Sequence, residues 1–227
     1  MIQIDQGFLI NKLKYNENSI IADFYTRENG RISGIIFGGT SKKIKGYLEI
    51  GNYFHLNLNS KNETRVYSIK AEIIKAYTPI YFNNQKKLYS IISAMSLIKN
   101  LTPENENNFD IFNLIQNFFN LLEKNNWLKN YINWELKLLK YLGYDLNLKN
   151  IVDKEIVNNK EVFYVKSSKQ KKTVPNFLVN ENIEKVEYFE ILRGFTIVSS
   201  YMEKNIFTPN NLKVPIQRVE FENLLNK

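Results

Sequence analysis

The residues whose chemistry is easiest to name are cations. Arg31, Lys42, Lys43 and Lys45 sit within residues 31–45, RISGIIFGGTSKKIK, with no acid among them and with Gly38-Gly39 keeping the chain pliable; Arg27 lies just upstream. Cations on a pliable loop beside a β-surface are what tracks the phosphates of a single strand, and small residues let the backbone come close. A lysine-rich chain also leaves exposed loops of this kind. Only five of the 31 basic residues are Arg, so Arg27 and Arg31 weigh more than any one Lys. The stretch is not a nucleotide-binding loop: that motif needs G-x-x-x-x-G-K-[ST], and here Thr40 and Ser41 separate Gly39 from Lys42. Tyr15, Tyr25, Tyr47, Tyr53 and Tyr67 lie in the same part of the chain, and any of them that reaches the surface is able to stack a base.

A second basic set falls at helical spacing. Lys129, Asn133, Lys137 and Lys140 share one face, beside a stripe of Trp127, Tyr131, Trp134, Leu138 and Tyr141. The stripe reads most simply as core. A basic ridge bordering an apolar groove suits an acidic peptide ending in a carboxylate, and a solvated helix face gives the same pattern.

Catalytic chemistry has little to stand on. The chain has no Cys and one His, His55, which excludes disulfides, thiolate zinc sites, a Cys nucleophile and a triad needing a second imidazole. Asp5, Asp23, Glu28, Glu49 and Glu72 are scattered, without a D-x-D or E-x-x-E cluster for two metal ions. A binding protein is expected rather than an enzyme, with no cofactor, no metal and no small-molecule substrate. The 31 basic against 23 acidic residues give a net charge of +8, which favours phosphate-bearing partners. The opening residues alternate around Asp5, and no apolar run reaches the ~18 residues of a membrane span, so a soluble, cytoplasmic protein is expected.

The elements that must position these residues change character along the chain. Residues 8–15, 19–27, 31–37, 52–60 and 65–77 are β-rich; in Asn52 to Ser60, Phe54, Leu56 and Leu58 alternate with His55, Asn57 and Asn59. Asn29-Gly30 marks a hairpin. Five short antiparallel strands suit a small closed barrel of oligonucleotide-binding (OB) type, and an SH3-like barrel gives nearly the same pattern. Near Pro79 the period becomes helical. Helices are expected around Leu88 to Ile98, after the Thr102-Pro103-Glu104 start signal through Glu123, from Asn126 to a stop at Gly143, over Ile183 to Asn205 with Gly194 as a possible break, and over Val214 to Leu225. Between them, Glu161 to Val165 reads as a strand, Lys166 to Lys172 as a charged loop, and Thr173 to Phe177 as extended. The expected class is α+β, with an OB-type barrel at 1–78 and a helical domain at 79–227 carrying a small hairpin-like insertion at 150–179.

In order and spacing, a set of residues along nearly the whole chain resembles the bacterial DNA repair family RecO. These are Asp5, Gly7, Glu17, Thr26, Gly30, Gly38, Ser41-Lys42 to Leu48, Gly51, Trp134-Glu135, Leu138-Leu139 and Leu142-Gly143-Tyr144, with Asn211-Leu212-Lys213 and Arg218 in the tail. The resemblance implies an OB barrel, a helical domain and a zinc-finger-like insertion. It implies a recombination mediator that hydrolyses no nucleotide, binds single- and double-stranded DNA and engages the acidic C-terminal tail of single-stranded DNA-binding protein (SSB). It further implies pairing with RecR, annealing of strands and help for RecA in replacing SSB. Arg27, Arg31, Lys42, Lys43 and Lys45 are then the expected DNA contacts, and Lys129, Trp134 and Lys137 the expected contacts to the SSB tail. Two departures stand out. Many relatives carry four zinc-binding Cys around the segment matching Leu148 to Pro175, and this chain has none. Some relatives carry a basic residue where Asn133 precedes Trp134 here.

Overall fold

The computed structural model describes residues 2–59, 67–157, 160–167 and 170–227, and within them all side chains except those of Lys43, Lys160, Lys166, Ser167 and Gln170. The chain forms two compact units, Met1–Gln116 with Pro215–Leu224, and Asn117–Val214 with Leu225–Lys227.

In the first unit, strands β1 (Ile2–Lys14), β2 (Ser19–Thr26), β3 (Gly30–Phe37), β4 (Tyr53–Asn59) and β5 (Tyr67–Lys75) close into a barrel in the order β1-β2-β3-β5-β4, with helix α1 (Lys42–Lys45) between β3 and β4. This is the OB-type arrangement, and closure pairs most of the edges that such short strands would otherwise expose. The alternation in β4 is realised: Phe54, Leu56 and Leu58 are wholly buried, among Leu9, Phe24, Ile32 and Ile69, while His55 and Asn57 stay partly exposed. At the β2–β3 turn Gly30 has φ +66°, and a Cβ there would lie 1.9 Å from the Glu106 carbonyl oxygen, so conformation and space both demand glycine. Strand β1 serves two neighbours. It pairs with β4 from Ile2 to Phe8 and with β2 from Gly7 to Lys14, with a register shift between Leu9 and Asn11. From Asn11 to Lys14 its other edge has no strand beside it among the described residues.

Helix α2 (Gln85–Leu101) starts where the Asn84 side chain accepts from the Lys87 amide, and it packs on β1. Its buried face carries Ile91, Ala94, Met95 and Ile98. Thr102-Pro103-Glu104 does not open the next helix. Thr102 closes α2, and α3 (Phe109–Leu122) begins after Asn108, whose Oδ1 accepts from the Ile111 amide at 3.1 Å. The physical reason is non-local: Glu104 forms a β-bridge with Arg31, and the Asn105 amide donates to the Arg31 carbonyl at 2.8 Å, which holds the segment out of a helix.

The second unit holds α4 (Trp127–Tyr141), ended by Gly143 at φ +84°, then α5 (Leu148–Ile151) and an antiparallel sheet of β6 (Asp153–Val157), β7 (Lys160–Ser167) and β8 (Gln170–Val174). Helices α6 (Asn176–Val179) and α7 (Tyr188–Met202) follow; α8 (Ile216–Leu225) returns largely to the first unit. The expected charged loop Lys166 to Lys172 is instead two strand ends, pairing Lys166 with Lys171 and Val165 with Lys172; residues 168–169 lie outside the described set. The insertion is thus a three-stranded sheet without Cys, with Tyr164 and Val174 buried. Gly194 does not interrupt α7. A Cβ there would lie 2.5 Å from Cζ of the buried Phe177 ring, so glycine leaves room for that α6 side chain against α7.

Candidate nucleic-acid interface

The cations that cluster in sequence separate in space. Strand β3 spans eight residues, which puts its two ends about 23 Å apart. Arg27 and Arg31 sit at the Gly30 end, and Lys42 and Lys45 lie past the Phe37 end. The side chain of Lys43 is outside the described residues.

At the first end the guanidinium of Arg31 is largely committed. Its Nε donates to the Thr102 carbonyl at 2.9 Å, its Nη1 pairs with Glu104 at 3.0 Å, and its side chain is only 17% exposed. Arg27 is more open; it lies 5.4 Å from the centre of the Phe109 ring and 3.5 Å from the Glu28 carboxylate.

The second end differs in charge balance. Lys42 and Lys45 are exposed on α1, whose start is capped by the Ser41 hydroxyl accepting from the Ile44 amide. Among the described residues they have no ion-pair partner, as does the exposed Lys14 at the end of β1. By contrast Lys12 is bound to Glu49 at 2.9 Å, Lys70 to Glu72 at 3.2 Å and Lys99 to Asp23 at 3.5 Å. Lys14 and Lys45 both line a cleft of about 460 Å³, together with Lys12, Leu13, Ile20, Thr40 and Leu48. Sequence reasoning missed Lys14, although Lys12 and Lys14 stand two apart at a strand end, the period that places them on one face.

The barrel tyrosines sort cleanly. Tyr25 is buried, and desolvation pushes its hydroxyl up to about 12, against a hydrogen bond to the Asn108 carbonyl. Tyr53 stacks on Phe8 with ring centres 4.6 Å apart and donates to Gln6 at 2.7 Å. Tyr47 and Tyr67 pack against the barrel core. Tyr15 alone of the five is largely exposed, at 59%, and it adjoins Lys14.

On α4 only half of the expected ridge is at the surface: Lys137 and Lys140 are exposed, Lys129 and Asn133 are not. Lys129 is buried, and its Nζ donates to the carbonyls of Glu181 and Ile183 at 2.7 and 2.8 Å. Burial pushes its ammonium down, with the carboxylates of Glu181 and Glu184 working against that. Trp134 is 3% exposed and packs edge-on against Phe118 at 5.1 Å, so it is a core residue and not an open groove wall. Asn133 is also buried, and its Oδ1 has no hydrogen-bond partner among the described residues. Lys137 remains half exposed, 3.6 Å from the Glu181 carboxylate. The reason is long-range: the coil after Asn180 lies along this face of the helix.

Among the described residues no group of three His, Asp or Glu converges as a metal site, and no helix is long and apolar enough to cross a membrane.

Two family models match the chain, recombination protein O N terminal over residues 1–77 and recombination protein O C terminal over residues 83–199. The chain is 29% identical to the DNA repair protein RecO of Rickettsia felis, with 98% of each covered. It is 28% identical to that of Rickettsia canadensis, covering 98% of this chain and 96% of the relative. A barrel of OB topology, a helical unit with a small inserted sheet, and matches to both halves of one family along the chain make it a member of the RecO family.

Proposed function

We propose that the protein acts in the cytoplasm in DNA repair as a recombination mediator. It binds single- and double-stranded DNA, engages SSB and RecR, anneals complementary strands and assists loading of RecA, without catalysing a reaction itself. The barrel region, 1–78, is the DNA-contacting part and 79–227 the partner-facing part. The observation that carries this reading is that Lys14, Lys42 and Lys45, at the α1 end of the barrel, have no ion-pair partner among the described residues, whereas Lys12 and Lys70 of the barrel strands are each paired with a carboxylate. Lys42, Lys43 and Lys45 hold phosphates there, Arg27 offers a weaker contact at the opposite end, and Arg31 shapes the surface rather than touching DNA. Of the residues expected to meet the SSB tail, Lys137 is the exposed one, so an acidic tail competes with Glu181 for it, while Lys129 and Trp134 support the helix from beneath.

Replacing Lys42, Lys43 and Lys45 together by Ala tests the reading. Single-strand affinity should fall, and the slope of log K against log salt should shallow by about 2, at ~0.7 for each lost phosphate contact. Unchanged affinity and slope would remove this end of the barrel from the interface.

A further inference from the structure

The cleft beside α1 has features that a mere phosphate contact does not need. Its floor is aliphatic, from Ile20 and Leu48, with Leu13 at its rim 57% exposed to solvent. Lys14 and Lys45, which have no ion-pair partner among the described residues, also line it, while Lys12 is held by the Leu48 carbonyl at 2.6 Å and by Glu49. One wall is Lys12 to Lys14 of β1, a stretch whose second edge no strand covers among the described residues, so its backbone groups on that side are not used by a sheet partner. The opposite wall is fixed. Thr40 Oγ1 donates to the Glu17 carbonyl at 2.6 Å, and Gly39 is pressed so close to Ile20 that a Cβ would come within 2.6 Å of its Cγ1. An apolar floor, an open strand edge and two flanking cations match a group with a flat apolar body, polar edges and a phosphate on either side.

We propose that this cleft is a nucleotide subsite that admits one unpaired base of single-stranded DNA, with Lys14 and Lys45 on the adjoining phosphates. The inference rests on the DNA-binding reading above and deepens it, because a base locked in a duplex cannot enter the cleft. The site therefore supplies a preference for single strands that surface lysines alone do not, since those read only backbone charge.

The test compares three probes of equal length: oligothymidylate, an abasic sugar-phosphate chain and a blunt duplex, each titrated at one salt concentration. The protein should bind oligothymidylate about five- to tenfold more tightly than the abasic chain, the low end of what base packing contributes. Leu13→Ser keeps every charge and should reduce that ratio to about one or two, with duplex affinity unchanged. Lys14→Gln, tested alongside, should weaken oligothymidylate more than duplex. A base-to-abasic ratio near one in the unaltered protein would overturn the subsite while leaving the DNA reading standing. So would equal losses on all three probes. No change from these variants or from the triple Ala variant would bring down the DNA reading itself.

Discussion

Arg31 can be asked directly whether it is a DNA contact or a fastener. Its Nε–H bond to the Thr102 carbonyl, 2.9 Å long and mostly shielded, is a charge-assisted bond worth about 1.5–3 kcal/mol. Its pair with the half-exposed Glu104 adds only ~0.2–1 kcal/mol. Water reaches part of the site once the side chain is gone, so Arg31→Ala should cost about 2 kcal/mol, which for a chain of this size lowers the melting temperature by about 4–8 °C. Arg31→Lys keeps the charge but cannot bond Thr102 and Glu104 in one plane, and about half the loss should remain. Thermal and urea unfolding, read beside binding of a labelled oligonucleotide well below the transition, separate the two roles. A fastener gives a clear stability loss in both variants and an oligonucleotide affinity changed by less than about twofold. A variant that unfolds like the parent but binds DNA tenfold more weakly, with Lys rescuing binding, would refute the assignment.

Gly194→Ala should destabilise the second unit, because the Phe177 ring has nowhere to go: ~1–3 kcal/mol of overpacking exceeds the ~1 kcal/mol that Ala gains over Gly in a helix. A raised unfolding midpoint would contradict that packing. Tyr25 gives a pH dependence. Its folded value, about 12, lies above the unfolded 10.0, so the unfolded chain loses the proton first. Its contribution is complete below pH 10 and is lost as the pH rises towards 12. Urea midpoints followed across that window should fall less steeply for Tyr25→Phe than for the parent, and parallel curves would show that another group dominates.

The barrel was largely legible because its signals are local. Alternation in Asn52 to Ser60 and the Asn29-Gly30 turn each report on residues a few positions away. The helical stripe through Tyr131, Trp134 and Leu138 was equally readable as core, for the same reason. What escaped depends on distant segments. Lys129, Asn133 and Lys137 have the spacing of a solvated face, and nothing near them announces that the carbonyls of Glu181 and Ile183 will come to rest on Lys129. The start signal at Thr102 was overruled by Arg31, some seventy positions away in the chain. Among the candidate site residues, the Arg31 to Lys45 cluster was an artefact of contiguity, since an extended strand carries its two ends apart as efficiently as a polypeptide can.

The change of partner along β1 has a kinetic consequence. Its second half meets β2 through a tight reversal, Lys14 against Ile20, whereas its first half must find Ile2 against Asn59. Closing the longer loop costs about 2 kcal/mol more in chain entropy, so the meander of β1, β2 and β3 can assemble on a nascent chain before the barrel shuts. Fraying should then begin at Ile2 and run inward. Most walls of the α1 cleft come from the part of β1 beyond Asn11, the start of β2 and the turn after β3, so fraying that starts at Ile2 should leave them in register.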